Sequence, residues 1–327
     1  METDRWTMGV DLGGTKIEVA WVDSNGKIAG RIRKPTIVEK GAEGIVREIV
    51  EAIRQLLKES GEKPLGIGVG VAGQVEGETG KVRFAPNLDW HDVPLQANLK
   101  EAIGLPVVVT NDVRAATWGE WRYGSGKNCD NLVCLFIGTG VGGGVVSDGK
   151  ILSGASNAAG ELGHMTVDLN GPPCHCHNHG CLEALAGGWA IARRARQAVA
   201  DDPVAGADLL KLARDRREAI TAEIVARAAK AGDPLAGRIV EETLQAIIAG
   251  CVGLVNAFNP TRLILGGGVI EGLPQLVKKV EKGVHQRALK ATLAPLQVVK
   301  SALGNDAGVI GAAALAMLRF SRPGDVR

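Results

Sequence analysis

A chain of 327 residues has material for two domains of ordinary size, and an apolar share of 45% beside a charged share of 23% excludes a disordered chain. Lys and Arg number 38 against 36 Asp and Glu, with no basic run, which excludes nucleic acid and anionic membrane as main partners. The 45 glycines follow no G-X-Y period and gather at the ends of apolar runs, as in tight turns built around a ligand.

The start, METDRWT, is charged and has no signal-peptide character. Residues 6–22 read as an apolar strand, a glycine turn and a returning strand that alternates through Ile17, Val19 and Trp21. Asn25-Gly26 marks the next hairpin turn, with a third strand after it. From Gly41 to Ser60 the residues Ile45, Val46, Ile49, Val50, Ile53, Leu56 and Leu57 fall on one helical stripe, and Gly61 stands at the C-terminal cap. A buried strand is expected over 65–72, a helix from about Pro94 to Ile103 and a strand over 106–110, with Asn111-Asp112 at its C-terminal end opening a helix to Tyr123. In open α/β sheets that end of a strand is the usual place for ligand chemistry.

At residue 131 the pattern restarts: apolar strand, glycine turn, apolar strand, hairpin turn. The distance from glycine turn to hairpin glycine is thirteen residues for Gly13 to Gly26 and eleven for Gly138 to Gly149. The difference is even, so side chains keep their faces, as two copies of one unit require. The cysteine-rich stretch follows, then a helical region over 188–257 broken near Asp201-Pro203 and Asp233-Pro234. A strand RLILG runs into Gly266, Gly267 and Gly268, another strand covers Leu296 to Lys300, and a last helix runs from about Ala307 to Arg319 before a disordered tail. Two α/β lobes with a cleft between them are predicted, over 1–125 (first glycine turn) and 126–327 (second glycine turn, cysteine-rich loop and the run from Gly266 to Gly268). No apolar stretch of about 18 residues lacks a charge or glycine cluster, so no membrane-spanning helix is expected. Cys129, Cys134 and Cys251 read as free thiols, which suits a reducing cytoplasm.

Glycine lets backbone N–H groups approach an anion closely. Gly13, Gly14, Thr15 and Lys16 in the first turn, and Gly138, Thr139 and Gly140 in the second, have the composition of phosphate cradles, the threonines adding hydroxyl donors. Gly266 to Gly268, entering a helix, make a third wall suited to nucleotide. Neither turn is a Walker sequence or a G-x-G-x-x-G opening a helix. With Asp11 as the acid nearest the first loop, suited to a hydrated cation, the set points to a nucleoside triphosphate with Mg2+.

Residues 161–183 hold four of the six histidines and three of the six cysteines. Thiolate and imidazole are the ligands of structural zinc, and four close a tetrahedral site. His164, Cys174, Cys176 and Cys181 supply that number, and His175, His177 and His179 are alternatives for any one of them. Glu161 and Glu183 bracket the stretch; they read as acceptors for ligand hydroxyls, or as a surface charge and a first-turn acid. Trp90, Trp118 and Trp121 carry no spacing signature and read as packing residues. Either Asn111 or Asp112 can cap the helix that follows, leaving the other for substrate.

DLGGTK at 11–16, PNLDW at 86–90, Asn111-Asp112, GTGVGGG at 138–144, AAGELGH at 158–164 and the C-x-C run ending in GCLE at Glu183 together resemble the ROK family of sugar kinases and repressors, over essentially the full length. The resemblance implies the duplicated sugar kinase/Hsp70/actin (ribonuclease H-like) α/β fold. It further implies ATP-dependent phosphorylation of a hexose at the 6-hydroxyl, foremost glucose, with Asp112 as general base. Sugar contacts would come from Asn87, Asn111, Asp112, Glu161, His164 and Glu183, and zinc from His164, Cys174, Cys176 and Cys181. Family habit implies a homodimer or homotetramer. N-acetylmannosamine or fructose as acceptor, polyphosphate as donor and a non-catalytic sugar sensor are the alternatives. Family repressors carry a helix-turn-helix ahead of this body, and a first strand starting about six residues in leaves no room for one. His177 departs from the family pattern, which has glycine after the second cysteine.

Overall fold

The structure, a computed structural model, describes residues 5–321. They form two compact units. The first holds the described residues up to Asn128, Ile151–Gly160 and the described residues from Asn305 onward; the second holds Cys129–Lys150 and Glu161–Gly304. This division follows packing rather than chain order. It differs from a single cut between residues 125 and 126 by giving the last helix and the 151–160 segment to the first unit.

The first unit opens with β1 (Trp6–Leu12), β2 (Lys16–Asp23) and β3 (Ile28–Pro35), an antiparallel meander, followed by α1 (Gly41–Ser60). The expected stripe is the buried face of α1, and Gly61, at φ +67°, closes the helix by donating its N–H to the Leu57 carbonyl. β4 (Ile67–Val71) pairs parallel with β1. β5 (Gln74–Val75), β6 (Val82–Ala85) and β7 (Trp90–Val93) then form a small separate sheet. α2 (Leu95–Ile103), β8 (Val107–Asn111) and α3 (Asp112–Arg122) complete this part, with the large sheet ordered β3-β2-β1-β4-β8. Trp90 is 2% exposed and belongs to the core of this unit, as a packing role requires.

The second unit repeats that order. β9 (Leu132–Ile137), β10 (Val141–Ser147) and β11 (Lys150–Ile151) form the meander, and β12 (Arg262–Gly266) and β13 (Gln297–Lys300) add parallel strands to give β11-β10-β9-β12-β13. Where the first unit places α1 between its third and fourth strands, the second inserts α4 (Leu182–Ala186), α5 (Gly188–Asp201), α6 (Ala207–Leu212), α7 (Ala222–Lys230) and α8 (Pro234–Phe258). After β12 come α9 (Gly268–Gly272), α10 (Leu276–Arg287) and α11 (Lys290–Leu293).

At 25 residues α8 is long and apolar enough by length and composition to cross a membrane. Its charges, Arg238, Glu241 and Glu242, fall in its first half and leave residues 243–258 uncharged, and the helix packs in the core of the second unit. Ile239, Leu244, Ile247, Ile248, Cys251, Leu254 and Val255 are buried, and α4, α5, α7 and α10 pack around it.

The last helix, α12 (Ala307–Phe320), packs on β1, β4 and α3 in the first unit. Its approach is so close that a Cβ at Gly311 would lie 1.7 Å from the Ala115 carbonyl oxygen on α3. The tail expected beyond Arg319 falls, after Ser321, outside the described residues.

Candidate functional site

Strand register places the first group of residues. Leu12, Val71 and Asn111 are aligned across the parallel strands β1, β4 and β8. The glycine turn after Leu12 and the Asn111-Asp112 pair therefore sit at the same C-terminal edge of one sheet, two strand spacings or about 10 Å apart. A Cβ at Gly14 would stand 2.8 Å from the Asn87 carbonyl oxygen, so the turn also lies against the PNLDW segment. The structure thus brings together Asp11, Gly13, Gly14, Asn87, Asn111 and Asp112.

The capping question has an answer. Asn111 is the N-cap of α3: its Oδ1 accepts from the N–H groups of Val113 and Arg114, both at 3.0 Å, and its Nδ2 donates to the Gly73 carbonyl at 3.2 Å. Asp112 starts the helix, one carboxylate oxygen accepting the Val113 N–H at 2.9 Å.

The turn itself is a closed hairpin, with the Gly13 N–H donating to the Lys16 carbonyl at 2.9 Å. That amide is committed within the turn, while Thr15 is exposed at its tip. Asp11 is largely buried, and Lys16 Nζ lies 3.4 Å from its carboxylate. Burial raises the Asp11 pKa, and Lys16 opposes the rise. Lys16 also pairs at 2.8 Å with Glu18, which is fully buried and lies 3.0 Å from Arg33 and 3.2 Å from Arg31. Sequence reading missed Glu18, yet its signal is there: an acid in a buried strand, faced across the hairpin by basic residues at alternate positions.

In the second unit Phe136 and Gly266 are register partners, which sets the 138–140 turn beside Gly267-Gly268 at one sheet edge. Gly267, at φ +88°, packs its Cα against the Ile137 backbone, and Gly268 faces open space. Gly138 donates to the Gly140 carbonyl at 2.9 Å, and Thr139 is exposed. Glu183, in the first turn of α4, accepts the Val141 N–H at 2.9 Å. Its carboxylate leaves no room for a side chain at Gly140, where a Cβ would come within 2.4 Å of Oε2. Glu161 is exposed, immediately before the single turn Leu162–His164.

His164, Cys174, Cys176 and Cys181 converge, with one ligand atom from each lying within 4.8 Å of all the others. Cys174 Sγ is 3.7 Å from His164 Nδ1, and Cys176 Sγ is 3.6 Å from Cys181 Sγ. Tetrahedral ligands on zinc, at Zn–S of about 2.3 Å, stand about 3.8 Å apart, so the donor set and its spacing fit that ion. All three sulfurs are free thiols. Burial and the neighbouring thiols push the Cys181 pKa up to about 12.

Of the alternative ligands, His175 stacks on Trp189 with ring centroids 4.2 Å apart, and the Arg193 guanidinium lies 5.0 Å from the same ring. His177 sits at φ +70°, the left-handed region that glycine occupies without steric cost. A side chain there costs roughly 1–2 kcal/mol, partly offset by the entropy glycine loses on folding. His177→Gly is accordingly expected to raise stability to chemical denaturation by up to about 1 kcal/mol, read from the shift in urea midpoint at unchanged slope.

A twice-repeated sheet of order 3-2-1-4-5, with a glycine turn at the edge of each copy, defines the duplicated α/β class of sugar kinases. The chain belongs to the ROK family, whose pattern it matches over residues 7–319. It is 37% identical to the glucokinase of Halalkalibacterium halodurans over 94% of each chain. It is also 37% identical to the glucokinase of Thermotoga maritima over 94% of this chain and 96% of that one. Among solved structures it resembles a ROK family glucokinase from Streptomyces griseus in complex with glucose and AMPPNP, at a TM-score of 0.83 and 36% identity, covering 96% of this chain and 99% of that one.

Proposed function

We propose that this protein is an ATP-dependent hexose kinase that transfers the γ-phosphoryl group to the 6-hydroxyl of glucose. The observation that carries the reading is the placement of Asp112. Asn111 caps α3, and Asp112 stands at the sheet edge that also bears the first glycine turn. Asp112 takes the proton of the 6-hydroxyl as that oxygen bonds to the γ-phosphorus, and ADP leaves with the bridging oxygen. Phosphoryl transfer asks of such a base orientation and late proton acceptance, which an ordinary carboxylate supplies.

Asn87, Asn111, Asp112, Glu161, His164 and Glu183 are the sugar ligands of this reading. Carboxylates accept from sugar hydroxyls, and a site built around a hydroxyl discriminates strongly against an analogue that lacks it. Gly13, Gly14, Thr15, Lys16, Gly138, Thr139 and Gly140 approach the phosphates, with Gly266 to Gly268 beside the nucleotide. Asp11 would hold hydrated Mg2+, whose charge would offset that of the phosphates. A four-ligand zinc at His164, Cys174, Cys176 and Cys181 has no open position and is structural. Six free thiols suit a reducing cytoplasm, where the protein works as a homodimer or homotetramer.

A coupled assay for ADP release over a panel of glucose, fructose, mannose and N-acetylmannosamine tests the proposal. Glucose is expected to give the highest kcat/KM with ATP as donor. Preference for another hexose reassigns the substrate, polyphosphate outcompeting ATP reassigns the donor, and no turnover with any sugar overturns the kinase reading.

A further inference from the structure

We infer that Arg114 is a positioning residue of the sugar site, acting through a clamp on the segment that delivers Glu161; the inference rests on the function proposed above. Arg114 lies on α3 two residues after Asp112 and is 7% exposed. Its Nη1 donates to Asn157 Oδ1, and its Nη2 donates to the carbonyls of Asn157 and Ala159, each at 2.9 Å. Asn157, held at φ +59°, passes the constraint on, its Nδ2 donating to the Val75 carbonyl at 2.9 Å. Asn111 secures the other end of the same short stretch through the Gly73 carbonyl.

One guanidinium therefore ties 157–159 to the helix that begins at Asp112, entirely within the first unit. The next residue, Gly160, at φ +100°, is where the chain leaves that unit, and Glu161 follows at once. A buried guanidinium is tolerated only where its donors are satisfied, and here the planar fork spans three acceptors that an ammonium, a single point of charge, does not span. The clamp orders the segment before sugar arrives, so that binding does not have to order it. Arg114 touches no substrate in this scheme; it decides where Glu161 starts.

The test is a double-mutant cycle on the full chain, with glucose and ATP affinities measured by titration calorimetry for wild type, R114K, E161Q and the double variant. R114K is expected to weaken glucose binding about tenfold and to leave ATP binding within about twofold. On the E161Q background R114K should add less than about twofold, because its effect runs through Glu161. Equal effects of R114K on both backgrounds, or equal loss of glucose and ATP affinity, overturn the inference. Asn157→Ala removes the one side-chain acceptor of the clamp and the bond to the Val75 carbonyl, and carries the same comparison where R114K does not fold. A wild type that binds glucose while the variants behave additively sinks this inference alone; a wild type that binds no hexose sinks the proposed function and this inference with it.

Discussion

Asp112→Asn is expected to lower kcat by about 10²–10⁴-fold, the range typical for loss of a general base, and to leave the thermal unfolding midpoint within a few degrees of wild type. The structural half of this prediction follows from the cap. Asn111 is the N-cap of α3, accepting both the Val113 and Arg114 amides, while Asp112 shares only the Val113 N–H, and an asparagine at 112 retains the Oδ1 that accepts it. Asn111→Ala is the contrasting variant. It removes the cap and the bond to the Gly73 carbonyl, and it is expected to lower stability by about 1 kcal/mol for the cap alone. Rates from ADP release and midpoints from calorimetry separate the two. An Asp112→Asn enzyme with near-normal turnover removes Asp112 from the mechanism, and one that is inactive because it is unfolded contradicts the capping assignment.

The residues that announced this architecture did so through local chemistry. Gly61 marked the end of α1 because a left-handed cap selects glycine, and the stripe from Ile45 to Leu56 marked its face because a helix repeats every 3.6 residues. The two hairpins of thirteen and eleven residues announced the duplication, which the matching orders of the two sheets now display. The position of Asn111-Asp112 between strand and helix was legible for the same reason, although which of them caps was not, since both side chains can reach the same amides.

What stayed hidden depends on partners distant in sequence. Nothing near Ala307 says that α12 packs on β1 and β4, more than two hundred residues away, nor does anything near Asn157 point to Arg114. The length of the uncharged part of α8 does not by itself show its place; its packing in the core of the second unit does. The convergence of His164, Cys174, Cys176 and Cys181 was legible as a set because cysteine is rarely clustered without a purpose. The stacking of His175 on Trp189 was not, because it is a tertiary contact.

Stripping the metal from His164, Cys174, Cys176 and Cys181 is expected to raise the glucose KM tenfold or more while changing the ATP KM by less than about twofold. The four proposed ligands lie on the two segments that carry Glu161 and Glu183, the carboxylates proposed above to bind sugar. His164 closes the turn that Glu161 begins, and Cys181 is the N-cap of the helix whose first turn holds Glu183. Zinc binding is worth on the order of 10–16 kcal/mol in small structural sites, far more than the single 3-10 turn at 162–164 supplies, so without it these segments are expected to lose their mutual placement. The second glycine turn touches this region through Glu183, which accepts the Val141 N–H, but it also has support of its own. Its hairpin closes on itself through Gly138 and Gly140, and Gly188 and Trp189 of α5 bond to the Gly138 and Thr139 carbonyls. The sign of the pH dependence follows from the thiols. In the metal-free protein Cys181 is pushed up to about 12, and Cys174 is also raised, in each case first by burial. At neutral pH both hold protons that the metal must displace, so apparent zinc affinity falls as pH falls, by about tenfold per unit for each proton released. Glucose KM in a zinc-limited buffer should therefore climb on acidification more steeply than ATP KM. Metal content by mass spectrometry alongside both constants checks this, and a parallel loss of glucose and ATP affinity on chelation assigns the metal to the fold as a whole rather than to the sugar side.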